Sequence, residues 1–223
     1  MRTDGSTNPL LGARAVLFDL DGTLIASALD FPRMRAAVVA LAREYGLPAA
    51  ALTAPDALGL AHQAAAQTAE PERFLAAVEE ALVAIELAAL PTATLIPGAR
   101  ELLQALAERG IAVGIVTRNC RQAATGVLSR FALPHRLLLA RGDVPAVKPD
   151  PIHLQLARDR LGVAPSEATM VGDHPMDIAC GRAAGMRTVG YLGAERSPDV
   201  FAAQPPDATV RHLSEITAWI CRS

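Results

Sequence analysis

The sequence of 223 residues has one lysine, few cysteines and no excess of positive charge. Its formal net charge is −2, which provides no basic surface for nucleic acid, so no nucleic-acid partner is expected. The three cysteines, Cys120, Cys180 and Cys221, are an odd number without metal-ligand spacing. This pattern is typical of a reducing cytoplasm.

The sequence also lacks an uninterrupted apolar run long enough for a membrane helix. The apolar stretch over residues 74–90 contains Glu79, Glu80 and Glu86 and therefore predicts an amphipathic helix. The first 14 residues are polar and lack the apolar centre of a signal peptide, so we expect a flexible tail over residues 1–13. These absences predict a cytoplasmic protein without a membrane partner.

Two aspartates follow the first apolar run, which covers residues 15–18. Side chains alternate along a strand, so Asp19 and Asp21 would share one side until the chain turns at Gly22. Two like charges so close require a cation or a shared proton, and Mg2+ is the usual cation where phosphate also binds. The structural alternative is an ordinary strand end followed by an Asp-Gly turn.

Three further polar clusters follow apolar stretches in the same way. They are the triplet Thr117, Arg118 and Asn119, the single Lys148, and the pair Asp173 and Asp177. The triplet offers a hydroxyl and backbone amides at a strand-to-helix turn, where anions bind. Lys148 lies just ahead of a helix that begins near Pro151. Each cluster alone has a loop explanation, but four in this order rarely arise by chance.

Lys148 is the one lysine in a chain that otherwise uses arginine. The two cations are not interchangeable at a tight site, because an ammonium is a compact point charge and a guanidinium is a planar fork. We therefore interpret Lys148 as a functional residue rather than an accident of composition.

Apolar strands alternate with helices over most of the chain, which predicts an α/β protein with a doubly wound parallel, Rossmann-like sheet. The predicted strands cover residues 15–19, 111–117, 136–140, 169–172 and 187–191, and the predicted helices cover residues 98–109, 120–130, 151–161 and 175–185. All four polar clusters follow the carboxyl ends of strands, where such sheets bind ligands.

An insertion interrupts this alternation and contains predicted helices only. These helices cover residues 31–45, 56–67 and 71–90. We expect a core formed by residues 14–24 and 96–223 and an inserted all-helical cap subdomain over residues 25–95.

The run Asp19-Leu20-Asp21-Gly22-Thr23, followed in order by Thr117, Lys148 and Asp173 to Asp177, resembles the four motifs of the haloacid dehalogenase-like hydrolase superfamily. The insertion and the run Gly181-Arg182-Ala183-Ala184-Gly185 are similar to the phosphoglycolate phosphatase-like branch. The resemblance implies a Mg2+-dependent phosphatase acting on a small phosphate monoester, with phosphoglycolate as the first candidate. It also implies that the cap excludes water and selects the substrate.

The resemblance implies chemical roles for the acidic residues and the lysine. Asp19 would attack phosphorus and form an aspartyl-phosphate, and Asp21 would act as general acid and then general base. Asp19, Asp173 and the backbone carbonyl of Asp21 would bind Mg2+. Asp177 would orient Lys148 or a metal-bound water rather than bind the metal.

The resemblance also implies a phosphate-binding role for the remaining motif residues. Thr117 and the backbone amides of Arg118 and Asn119 would hold the phosphoryl group, and Lys148 would neutralise its developing charge. Gly22 would give the backbone room to turn beside the phosphate.

Several neighbouring activities differ in their chemistry. Dehalogenation releases a halide that needs no proton, so Asp21 favours an oxygen leaving group. Phosphonate cleavage in this superfamily uses a cap lysine, and this insertion has none. A sugar phosphomutase keeps both aspartates and stays an alternative.

Alternatives from other classes are a phospho-receiver and a non-catalytic binding protein. A receiver carries its phosphoacceptor after the third strand, where this chain has residues 140–143. The complete set of motif residues argues against a non-catalytic protein. His174 is interpreted as a loop residue, and Arg33 and Arg35 as surface residues or as partners of a substrate carboxylate. The sequence leaves the substrate and the oligomeric state open.

Overall fold

The computed structural model describes residues 8–221. Its strands and helices, in chain order, are β1 Ala15–Phe18, β2 Ile25–Ala26, α1 Phe31–Glu44, α2 Ala57–Ala65, α3 Pro71–Ala89, β3 Thr94–Leu95, α4 Ala99–Glu108, β4 Ala112–Val116, α5 Arg121–Arg130, β5 Leu137–Leu139, α6 Ile152–Leu161, β6 Ala168–Gly172, α7 Pro175–Ala183, β7 Arg187–Tyr191, β8 Ala208–Val210 and α8 Leu213–Cys221.

Strand β1 lies inside a parallel sheet with the order β5-β4-β1-β6-β7-β8. The chain runs from β1 through β4 to β5, then returns to the other side of β1 and continues through β6 to β8. Phe18 is in register with Ile115 of β4 and Val171 of β6. The strand order therefore reverses at β1, where doubly wound sheets form their ligand crevice. The predicted α/β fold is confirmed.

The three central strands are buried throughout their length. Helices cover both faces of a doubly wound sheet, so its strands are continuous apolar runs rather than alternating ones. Leu17 and Met170 belong to one core cluster with Leu154 and Ala157 of α6. Complete burial of a leucine side chain of this kind contributes about 2 kcal/mol.

Residues 27–92 form a second compact unit that is entirely helical. Helices α1, α2 and α3 share a core that includes Val38, Leu60 and Leu82, and Tyr45 meets Phe74 edge-on with ring centroids 5.2 Å apart. The three helices of this unit lie where the sequence predicts an all-helical insertion.

Helix α3 contains residues 74–89 of the apolar stretch, with its three glutamates. Glu80 is exposed, as an amphipathic helix requires, whereas Glu86 is buried. Within residues 8–221, none of the helices combines the length and the apolar character that crossing a membrane requires.

The boundaries of the helical unit differ slightly from the expected 25–95. Strands β2 and β3 pair antiparallel, with Ile25 opposite Leu95, and both belong to the larger unit. Two residues in each strand are too few to give a clear alternating pattern in the sequence.

The expected flexible tail lies partly outside the described residues, and the rest of it is held in place. Leu10 is buried, and the carbonyl of Pro9 accepts a hydrogen bond of 2.8 Å from Thr169 Oγ1. Arg187 also donates to the carbonyl of Leu11. These contacts argue against flexibility for residues 8–13, because Leu10 is an apolar anchor and the carbonyls of Pro9 and Leu11 have partners that are distant in the chain.

Two elements follow the last predicted strand. Strand β8 extends the parallel sheet beside β7, and α8 buries Leu213, Ile216 and Ile220.

Candidate active site

Polar residues from four loops meet at the carboxyl ends of the central strands. Asp19 follows β1, Thr117 follows β4, Asp173 follows β6, and Lys148 lies between β5 and α6. Because β1 pairs in parallel with both β4 and β6, these strand ends lie side by side. All of the predicted motif residues belong to the larger compact unit.

The ammonium of Lys148 lies between two carboxylates. Its Nζ donates to Asp19 Oδ1 at 2.7 Å and lies 2.7 Å from Asp177 Oδ1. Only 1% of the Lys148 side chain is exposed. Burial alone would lower the pKa of Lys148, but Asp177 and Asp19 outweigh burial and raise that pKa above its ordinary value. The lysine is therefore a cation near pH 7.

Asp19 lies among like charges. Burial raises the pKa of Asp19 above its ordinary value, Lys148 opposes this effect, and Asp177 and Asp173 add to it. Asp19, Asp173 and Asp177 place carboxylate oxygens within 4.8 Å of one another. Crowded carboxylates stay ionised only when cations compensate their charge. Lys148 compensates part of it, and the oxygen donor set fits a hard divalent cation for the rest.

Asp173 is held by neighbours on both of its oxygens. Thr23 Oγ1 donates to Asp173 Oδ1 at 3.0 Å. Arg196 Nη1 donates to Asp173 Oδ2 at 2.5 Å and to the Asp173 carbonyl at 2.7 Å. Gly22 has φ +86°, and a Cβ there would lie 2.5 Å from Asp173 Oδ2. Gly22 is therefore required both by its backbone conformation and by the closeness of this carboxylate.

The side chain of Asp21 is not part of the three-carboxylate cluster. The N–H of Gly22 donates to the Ile25 carbonyl at 2.7 Å and closes a turn directly after Asp21. Asn119 Nδ2 donates to Asp21 Oδ2 at 3.2 Å. The sequence predicts that Asp19 and Asp21 share one side of the strand. In the structure the two carboxylates have different surroundings, because Asp19 lies beside Lys148 and Asp21 lies beside Asn119.

The turn after β4 uses the Thr117 hydroxyl internally. The N–H of Asn119 donates to Thr117 Oγ1 at 3.1 Å, a common bond in threonine turns. In this arrangement the Asn119 amide has a partner within the turn, and its expected contact with a phosphoryl group stays a prediction. Thr117 Oγ1 still has its own proton to donate.

Arg118, in the turn after β4, reaches the start of α7 with its side chain, and His174 directly precedes that helix. Arg118 Nη1 contacts Met176 Sδ at 3.2 Å. His174 Nδ1 accepts a bond of 3.1 Å from the Met176 N–H, and the His174 N–H donates to Asp177 Oδ2 at 3.1 Å. His174 therefore caps this helix, as its interpretation as a loop residue implies.

Arg33 and Arg35 lie on α1 of the helical unit. Arg33 is exposed, and the guanidinium of Arg35 donates to the carbonyl of Ala54 in the same unit. Arg35 thus has a structural partner within its own unit.

A buried histidine touches the lysine loop. His153 Nδ1 accepts a bond of 3.3 Å from the Lys148 N–H, and its Nε2 lies 3.3 Å from the Leu139 carbonyl. Burial, aided by the charge of Lys148, lowers the pKa of His153 to about 4. The imidazole is therefore neutral near pH 7.

Comparison with known proteins gives the same assignment as the motifs. Residues 13–185 match the family model of the haloacid dehalogenase-like hydrolases. The chain belongs to this family. It is 38% identical over 229 residues to the phosphoglycolate phosphatase of Xanthomonas campestris pv. campestris (strain 8004), covering 92% of this chain and 97% of that relative.

Two further matches extend over nearly the whole chain. It is 33% identical over 215 residues to the N-acetylmuramic acid 6-phosphate phosphatase of Pseudomonas putida, covering 91% of this chain and 94% of that protein. A hydrolase from Pseudomonas syringae of known crystal structure has the same fold, with a TM-score of 0.72 and 19% identity over 94% of this chain and 98% of its own. The predicted membership of this hydrolase family is confirmed. Phosphatases of this family are generally metal-dependent, which agrees with the carboxylate cluster.

Three residues of the site lie outside the set predicted from the sequence: Thr23, His153 and Arg196. Thr23 belongs to the first motif, so the sequence already indicated that it lies near the site. Arg196 belongs to no motif, and its partner Asp173 lies on another loop. His153 lies five residues after Lys148, but its contacts with Lys148 and Leu139 leave no signal in the sequence.

Proposed function

We propose that this protein is a Mg2+-dependent phosphatase that hydrolyses a small phosphate monoester through an aspartyl-phosphate on Asp19. The observation that carries the proposal is the environment of Asp19, which lies at the end of β1, 2.7 Å from a buried ammonium and clustered with Asp173. A carboxylate can attack a phosphate dianion only where positive charge offsets their repulsion.

In the first step, Asp19 attacks phosphorus. A bond forms between phosphorus and a carboxylate oxygen, and the bond between phosphorus and the leaving alcohol oxygen breaks. Lys148 pairs with Oδ1 of Asp19, so we assign Oδ2 as the attacking atom. Asp21 donates its proton to the departing alkoxide and becomes a carboxylate.

In the second step, water attacks the aspartyl-phosphate. Asp21 takes a proton from the water, the new oxygen bonds to phosphorus, and the bond from phosphorus to Asp19 breaks. Inorganic phosphate leaves, and both aspartates return to their starting states. The bond from Asn119 to Asp21 Oδ2 orients this acid and base.

Several residues hold the charged groups of the reaction. We propose Asp19, Asp173 and the backbone carbonyl of Asp21 as Mg2+ ligands, and the bound ion would offset the charge of the phosphate dianion. Asp177 pairs with Lys148 and keeps its ammonium beside Asp19. The Thr117 hydroxyl and Lys148 would contact the transferring phosphoryl oxygens.

The two relatives suggest a substrate class. Their names specify phosphoglycolate and N-acetylmuramic acid 6-phosphate, and both compounds carry a carboxylate besides the phosphate ester. We propose a small phosphate monoester with a second anionic group, with phosphoglycolate as the first candidate.

The test is a panel of phosphate monoesters assayed with Mg2+ for release of inorganic phosphate. The panel contains phosphoglycolate, N-acetylmuramic acid 6-phosphate, glucose 6-phosphate and ethyl phosphate, and Asp19→Asn is the matched inactive control. We expect kcat/KM to be highest for an acid-bearing ester and Asp19→Asn to release no phosphate.

Two outcomes would contradict the proposal. Transfer of phosphate between sugar hydroxyls without its release would indicate a phosphomutase instead. Turnover of every ester at equal rates by the wild type and Asp19→Asn would exclude Asp19 as the nucleophile.

A further inference from the structure

The carbonyl of Leu139, at the end of β5, lies at the junction of two parts of the site. It accepts a hydrogen bond of 3.0 Å from the Thr117 N–H, and His153 Nε2 lies 3.3 Å from it. His153 Nδ1 in turn accepts the bond from the Lys148 N–H. One imidazole thus bridges the strand end beside Thr117 and the main chain of Lys148.

The partners of His153 define its tautomer. A carbonyl can only accept and a backbone N–H can only donate, so Nε2 carries the proton and Nδ1 presents its lone pair. Both ring nitrogens then have a partner, as a fully buried polar side chain requires. An imidazolium would instead direct an N–H at the N–H of Lys148.

The geometry points to His153 as a positioning residue for Lys148, which holds the main chain from which the ammonium reaches Asp19 and Asp177. This inference rests on the proposed catalytic role of Lys148. A lysine side chain has four rotatable carbons, so its Nζ reaches two carboxylates at 2.7 Å only if its backbone is fixed. Displacement of a catalytic group by about 1 Å costs up to roughly a hundredfold in rate.

Two substitutions separate this role from packing. In His153→Asn, the amide oxygen replaces Nδ1 and keeps an acceptor for the Lys148 N–H, whereas the bond to Leu139 is lost. In His153→Gln, the amide nitrogen replaces Nε2 and keeps the bond to Leu139, but the acceptor for Lys148 is lost. Gln fills more of the buried space than Asn, so a packing role predicts that Gln is the milder change. Positioning predicts the opposite order.

The single lysine allows the bond to be observed directly. In protein labelled with 15N-lysine and 15N-histidine, the Lys148 amide is the one lysine backbone signal. We expect a scalar coupling across the hydrogen bond between this amide and His153 Nδ1 in the wild type. We also expect amide exchange at Lys148 to be at least about tenfold faster in His153→Gln and nearly unchanged in His153→Asn. A proton found on Nδ1 of His153 would overturn the inference without any measurement of activity.

Kinetics provides the second readout. We expect kcat to fall about tenfold or more in His153→Gln, by analogy with other displaced catalytic groups, and to change less than about threefold in His153→Asn. Leu154→Ala, on the same helix and fully buried, is the control for destabilisation and should keep kcat near the wild-type value. A His153→Gln enzyme as active as His153→Asn, or more active, would overturn the positioning role.

Lys148→Ala distinguishes this inference from the proposed function. If Lys148→Ala abolishes turnover while the two His153 variants do not differ, the positioning role fails and the proposed function stands. If Lys148→Ala itself retains full turnover, the catalytic role of the lysine fails first.

Discussion

Replacement of Lys148 by methionine should damage both stability and catalysis. Methionine keeps most of the apolar length but removes the ammonium that lies 2.7 Å from Asp19 and from Asp177. Asp177, whose side chain is only 1% exposed, would then be buried without this partner, and Asp19, whose side chain is 15% exposed, would lose it too. Removal of one partner from a buried ion pair costs about 3–5 kcal/mol. Loss of a preorganised charge in the site costs about a hundredfold or more in kcat.

The two effects can be separated with matched variants. The double variant with Asp177→Asn and Lys148→Met removes one of the two carboxylates that have lost their ammonium partner. It should therefore recover part of the free energy of unfolding but none of the lost kcat. Lys148→Arg keeps a positive charge, so it should be more stable than Lys148→Met. Its rate should be nearly as low, because a planar guanidinium does not fit contacts shaped around a point charge.

The assay combines urea unfolding in excess chelator with steady-state kinetics in Mg2+. Chelator keeps a bound cation from replacing the missing ammonium during the stability measurement. A Lys148→Met protein with unchanged unfolding free energy would show that the ammonium is not the partner of these carboxylates. A Lys148→Arg enzyme with wild-type kcat would refute the requirement for a compact charge.

Three further outcomes are expected. Asp19→Asn should abolish turnover, whereas Asp21→Asn should accumulate a phosphoenzyme with a good leaving group such as an aryl phosphate; its absence in acid-quenched samples would contradict the role of Asp21. Chelation should abolish activity, Mg2+ should restore it and Ca2+ should inhibit, so full activity in excess chelator would refute metal dependence. The depressed pKa of His153, about 4 against an ordinary 6.5, means that the unfolded chain binds this proton first as pH falls. The free energy of unfolding should therefore fall by on the order of 3 kcal/mol between pH 6.5 and 4. Urea titrations of His153→Asn should lack this component, and an equal decline in the variant would exclude His153 as its source.

Local sequence signals predicted the central part of the fold. The apolar runs that became β1, β4 and β6 are continuous because both of their faces are buried, and each ends at a polar motif. Strands β2 and β3 have two residues each, so they are too short to show the alternation of apolar and polar residues by which a strand is recognised in a sequence. The insertion was recognisable because its apolar residues recur at helical spacing, as with Phe74, Val78 and Leu82.

The sequence predicted several of the residues that the structure brings together at the candidate site, but not the contacts among them. Asp19, Lys148 and Asp173 follow strands or precede a helix, so the topology of the sheet brings them together. The hydrogen bonds among them depend on side-chain geometry. Nothing near Asn119 in the sequence indicates that its N–H donates to Thr117 Oγ1 while its side chain reaches Asp21. Arg196 was missed for the same reason, because its partner Asp173 lies on another loop.

The central position of β1 has a consequence for how the protein acquires activity. Ala15 pairs with both Ala112 and Ala168, so the strand that bears Asp19 is completed only by segments synthesised much later. Parallel pairings between such distant segments form slowly, because the loop-closure entropy is lost before the contacts are gained. A nascent chain released before β6 would bear Asp19 without Asp173. During refolding, the return of turnover should therefore coincide with docking of β6 rather than with the earlier formation of helices.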